Sequence, residues 1–184
     1  MRASRVLALA LAACVMVAAV LPADAARRPR KQPEEAAPAP APVDKRDRTV
    51  AAPGSPFNGR AYWQATAQCG GIYYRLNRLY LDAAATATVV KPDPTAYARL
   101  SKEADAAVAT ATTFFDASEY FLAADRKLPR QEAMLTYDAV GSSAGDRLKT
   151  VDAALQAAKP CAELYKVCRA TAPQACADPR TPAN

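Results

Sequence analysis

Four cysteines beyond residue 60, Cys69, Cys161, Cys168 and Cys176, restrict the folds open to this chain more than any other feature. If they pair, they tie distant stretches into one unit, and whether they pair depends on the compartment. The first 25 residues speak to that. Arg2 and Arg5 precede an apolar run from Val6 to Leu21, Pro22 breaks it, and Ala23-Asp24-Ala25 sets small residues where a signal peptidase cuts. This is the layout of a secretory signal peptide over residues 1–25, so the mature chain is expected to begin at Ala26 in the periplasm or outside the cell.

The run is shorter than the roughly 20 residues a spanning helix needs, which makes an uncleaved anchor the lesser alternative. Leu11-Ala12-Ala13-Cys14 also resembles a bacterial lipobox, whose cysteine becomes a lipidated N-terminus. Strong hydrophobicity continues past Cys14 to Leu21, however, where a lipobox cysteine normally ends the apolar stretch. Membrane contact is therefore expected only through the N-terminus, if it is uncleaved or lipidated at Cys14.

Residues 26–57 change character. Seven of them are proline and no hydrophobic period runs through them, so they read as a disordered Pro/Ala/Arg-rich linker. The net charge of +6 divides into +1 for the signal peptide, +3 for the linker and +2 from Asn58 onward. Arg27-Arg28-Pro29-Arg30-Lys31 reads as a solubilising start to a tether rather than a lipid-binding patch. A folded part this close to neutral does not suit nucleic acid.

From Asn58 apolar residues recur in steps of three and four, the helix period. The first helix is expected over about Gly59–Val89, with Tyr62, Thr66, Cys69, Tyr73, Leu76 and Tyr80 inward, and Pro92 stopping it. The second opens at Pro94 behind a capping Asp93 and presents Tyr97, Leu100, Ala104, Val108, Ala111, Phe115, Ser118 and Leu122. Pro129 can open a third. From Met134 to Tyr165 the phase is unbroken, which argues for one long helix. Gly141 nevertheless suits a helix end, and Ser143-Ala144-Gly145-Asp146 resembles a helix-starting capping box.

The cysteines weigh on that choice. An even number in an exported chain reads as two disulfides. Cys161 and Cys168, seven apart on one helix, lie about 10.5 Å apart, beyond the roughly 7 Å a disulfide spans. That leaves Cys69–Cys161 with Cys168–Cys176, or Cys69–Cys168 with Cys161–Cys176. Either staples the first helix to the last. In one continuous third helix Cys161 would lie about 48 Å along, far from Cys69, so a reversal near Gly141–Gly145 is preferred, with Pro160 the other place for a turn. The expected fold is an all-α antiparallel bundle of three to four helices over 58–170, stapled by disulfides. A Pro-rich tail, 171–184, is pinned by Cys176.

The chain has no histidine, which removes Ser-His-Asp and Cys-His nucleophile pairs and HExxH zinc sites. The cysteine spacings fit neither CxxC redox chemistry nor common zinc patterns. Asp93, Asp116 and Asp146 read as helix-start residues, and no other carboxylate stands out. No catalytic, cofactor or metal residue is therefore assigned.

Two glycines at Gly70-Gly71 inside a helix cost about 1 kcal/mol each relative to alanine, and are read as room for a disulfide and a neighbouring helix. Trp63 and Tyr74 fall off the core stripe and are candidate contact residues. Arg75 and Arg78, one turn apart, could grip an anion, although Asp82 offers Arg78 an ordinary i,i+4 pair. The functional expectation is an exported bacterial protein serving as a non-enzymatic binding or structural module of the cell envelope, with an envelope protein as partner. The alternative is a carrier of a small apolar ligand, motivated by aromatics set among 46 alanines. A carboxylate-dependent enzyme is a distant third.

Overall fold

The computed structural model describes residues 44–89 and 92–176. The expected signal peptide, Cys14, the expected linker up to residue 43 and the tail beyond Cys176 lie outside the described residues. Four helices follow in order: α1 (Tyr62–Val89), α2 (Pro94–Arg126), α3 (Arg130–Gly145) and α4 (Val151–Thr171). Between α1 and α2 the Asp93 carboxylate accepts from the Ala96 amide at 2.9 Å, with Pro94 at the first helical position. Lys127 ends α2 in the left-handed region at φ 61°, and Pro129 precedes α3.

The reversal between the last two helices is real, but its local signals were misread. α3 runs straight through Gly141, and Asp146 stands at its C-terminal cap, not at a helix start. α4 begins instead behind Thr150, whose hydroxyl accepts from the Ala153 amide at 3.2 Å. Asp116 sits in the middle of α2 and starts nothing. Pro160 lies inside α4 without ending it. The carbonyl it leaves unbonded belongs to Gln156, an exposed residue, where water can serve it.

The cysteine pairs are Cys69–Cys161 and Cys168–Cys176, with Cα atoms 5.7 and 5.9 Å apart. The first fixes α4 antiparallel to α1. Tyr62 at the start of α1 meets Thr171 at the end of α4, their hydroxyls 3.0 Å apart. Ala154, near the start of α4, shares a small cluster with Leu76. Disulfides of this kind belong to an oxidising, extracytoplasmic compartment. No helix among the described residues is long and apolar enough to cross a membrane.

α1 is the central element. Every residue from Ala61 to Ala67 is buried, so its first half is enclosed on all sides rather than along one stripe. Rings fill the space around it: Tyr62 stacks on Phe121 at 4.9 Å, Tyr73 on Phe114 at 5.8 Å, and Phe115 on Tyr137 at 5.3 Å. Thr66 and Ser118 share a buried hydroxyl hydrogen bond at 2.8 Å, in which one donates to the other while the acceptor donates back to its own helix. The outer part of the second stripe stays outside: Tyr97 and Val108 are exposed, while Ala107 and Phe114 are buried.

Residues 44–57, read from sequence as the end of a disordered linker, pack on the bundle as a strap. Val50 and Phe57 are fully buried, and Thr49 bridges Ala61. Backbone bonds from Val50 to Arg60, Gly59 to Val50 and Tyr62 to Arg48 close the loop onto the start of α1. Charge then clasps it to the end of α2. Arg126 donates to both Asp47 oxygens at 2.7 and 2.6 Å, and Arg48 donates to Asp125 at 2.8 Å. Two buried apolar residues, backbone bonds to the start of α1 and two ion pairs with the end of α2 hold a segment that local composition marks as a linker.

Candidate functional site

The glycines determine where a site can form. Gly71, Gly141 and Gly145 meet where α1 crosses α3, and Gly70 lies against the Phe115 ring of α2. A Cβ on Gly71 would fall on the Gly141 carbonyl, and one on Gly145 would come within 2.8 Å of the Gly71 oxygen. Gly141 lies against the Ala67 carbonyl and the Phe115 ring. The two backbones therefore touch, and side chains on either side of the contact stand up as walls. The expectation that Gly70-Gly71 makes room for a neighbouring helix holds for both: Gly71 admits the α3 backbone and Gly70 the Phe115 ring of α2.

Above this floor lies a shallow groove of about 240 Å³. Its α1 wall carries Tyr74, Arg75 and Arg78, three of the four contact residues singled out from sequence. Tyr74 is 51% exposed. The Arg75 Nε donates to the Leu148 carbonyl at 2.8 Å, which anchors that guanidinium at the turn beyond α3. Arg78 does not pair with Asp82 as its spacing suggested: among the described residues no carboxylate lies within ion-pair distance of it. It stands on the groove wall instead.

Trp63, the fourth candidate, is a correction. Its side chain is only 4% exposed, because α1 has no free face at that level. The indole donates to Asp47 at 3.3 Å, and the Arg126 guanidinium lies over its ring at 4.8 Å. Trp63 is thus the floor of the strap's clasp. Burial on its own would raise the Asp47 carboxyl, but the bonds from Arg126 and Trp63 and the Arg126 charge outweigh it and hold the pKa below the ordinary value.

Sequence reasoning missed the opposite wall. Asp138, Ser142 and Asp146 project from α3 at four-residue spacing and line the groove across from the arginines. A polar stripe at helix period, running beside the glycines at 141 and 145, was the signal available for them. Neither Asp138 nor Asp146 has an ion pair among the described residues. Two guanidinium groups, two carboxylates and a half-exposed phenol thus line one groove over closely packed backbone. This arrangement offers hydrogen bonds and charge of both signs to a bound molecule. No known protein family matches the chain, and neither a characterised protein nor a solved structure does.

Proposed function

We propose that the protein is exported into the bacterial cell envelope, periplasmic or secreted, and acts there as a non-enzymatic binding module. Its signal peptide is removed after Ala25, and the Pro-rich segment up to residue 43 is a tether emerging from the strap. The observation that carries the reading is the groove between α1 and α3: charged groups of both signs that have no ion-pair partners, raised on a floor that only glycine permits. Two disulfides favour the compartment. The rings that suggested an apolar-ligand carrier stack on one another, which favours the surface groove over the bundle core.

Site-specific photo-crosslinking in cells tests this. A crosslinker in place of Tyr74 is expected to give a discrete adduct, while one at the exposed Lys159 on α4 gives none. Absence of an adduct at Tyr74, or equal adducts at both positions, contradicts the reading.

A further inference from the structure

The groove walls carry equal and opposite charge: Arg75 and Arg78 on α1, Asp138 and Asp146 on α3. A simple anion would gain from the arginines but be repelled by Asp146, which lies beside them. The matching ligand is itself neutral overall, with its two charges held apart.

The helix register gives their separation. Gly141 packs against Ala67 and Gly71, and Gly145 against Gly71 and Arg75, so α3 runs beside α1 in the same direction. Asp138 therefore lies near the level of Thr66, and at 1.5 Å per residue it stands about 14 Å from the level of Arg75 and about 18 Å from that of Arg78. A free amino acid or a zwitterionic lipid headgroup is too short to reach both. An extended peptide advances about 3.3 Å per residue, so four or five residues fit.

We propose that the α1/α3 groove binds a short extended peptide with a free amine and a free carboxylate, the amine at Asp138 and the carboxylate at Arg78. Asp146 sits beside the arginines and keeps that end from holding a lone anion. Tyr74, between the two ends, covers the peptide's middle residues. With a volume of about 240 Å³ the groove admits small side chains and leaves the rest in the open. This inference rests on the reading of the chain as a binding module and names its ligand class.

The test uses the intact oxidised protein and three probes: penta-alanine, its N-acetyl form and its C-terminal amide. Binding is followed by amide chemical-shift changes. Penta-alanine is expected to shift signals of α1 and α3 around Gly71 and Gly141, at least tenfold more tightly than either blocked form. Arg78→Ala should abolish the preference for a free carboxylate and keep the preference for a free amine; Asp138→Asn should do the reverse. Both changes lie on exposed positions, so the fold is expected to survive, and the spectra report it directly. Equal affinity for the three peptides, or no shift with any of them, overturns the proposal. If that happens while crosslinking from Tyr74 still gives its adduct, only the ligand class falls; if both fail, the binding-module reading falls with it.

Discussion

Replacing Gly71 with alanine sets two effects of known sign against each other. Alanine is favoured over glycine in a helix by about 1 kcal/mol. The added Cβ, however, would land on the Gly141 carbonyl, and its nearest neighbours are all backbone atoms of α3. Backbone cannot rotate aside as a side chain can, so α3 must move off α1. Overpacking of this kind typically costs about 1–3 kcal/mol, and a whole-helix displacement belongs at the top of that range or above it. Moving α3 also disturbs the contact of Gly145 with Gly71 and the Phe115–Tyr137 stack. The net expectation is a loss of about 2 kcal/mol, or roughly 6–8 °C in Tm for a domain of this size. Gly70→Ala is the comparison. Its Cβ would meet the Phe115 ring at 2.6 Å, and that ring is only half-buried and can swing outward. The loss there should be smaller than at Gly71. Urea unfolding followed by circular dichroism, with disulfides intact, reads both. A Gly71→Ala protein as stable as the parent, or more stable than Gly70→Ala, would refute the backbone contact on which the groove depends.

Four further outcomes rest on the same structure. The Cys69–Cys161 bridge closes 92 residues and Cys168–Cys176 closes 8, for which chain entropy gives about 4.6 and about 2.5 kcal/mol; the paired serine variants should lose stability in that order, by differential scanning calorimetry. Asp47→Asn leaves Arg126 facing a neutral amide and should cost about 2–3 kcal/mol, less than a fully buried pair because Arg126 is partly exposed. Because the Asp47 pKa is lowered on folding, its contribution is present above the ordinary carboxylate range, near 3.9, and is lost as pH falls through the lower folded value; acid titration of the urea midpoint should show the Asn variant closing on the parent there. Lys127 holds a left-handed conformation at the end of α2, so Lys127→Gly should raise the midpoint by an amount worth about 1 kcal/mol.

Much of the bundle was legible because its punctuation is local. Pro92, Asp93, Pro94 and Pro129 act on their immediate neighbours, and the helices break where these residues say. The cysteine argument also worked, since a helix has a fixed rise and a disulfide a fixed reach. What failed was inference about faces and long-range partners. Trp63 lies off the stripe, but a stripe assumes one buried face, and the start of α1 is enclosed all round. Gly141 looks like a helix end until Gly71 is placed against it. The strap composition is that of a linker because the ion pairs that clasp it are made with Asp125 and Arg126, which are remote in sequence. The groove was half visible for the same reason: Tyr74, Arg75 and Arg78 belong to one helix, while Asp138, Ser142 and Asp146 become relevant only once α3 is known to lie beside it.

The most direct test of the account is peptide mapping, without reduction, of the protein recovered from the cell envelope. The account predicts a chain beginning at Ala26, with Cys69 joined to Cys161 and Cys168 joined to Cys176. Free thiols, or Cys69 joined to Cys168, would contradict the stapled bundle, and a chain beginning at a lipidated Cys14 would contradict its release from the membrane.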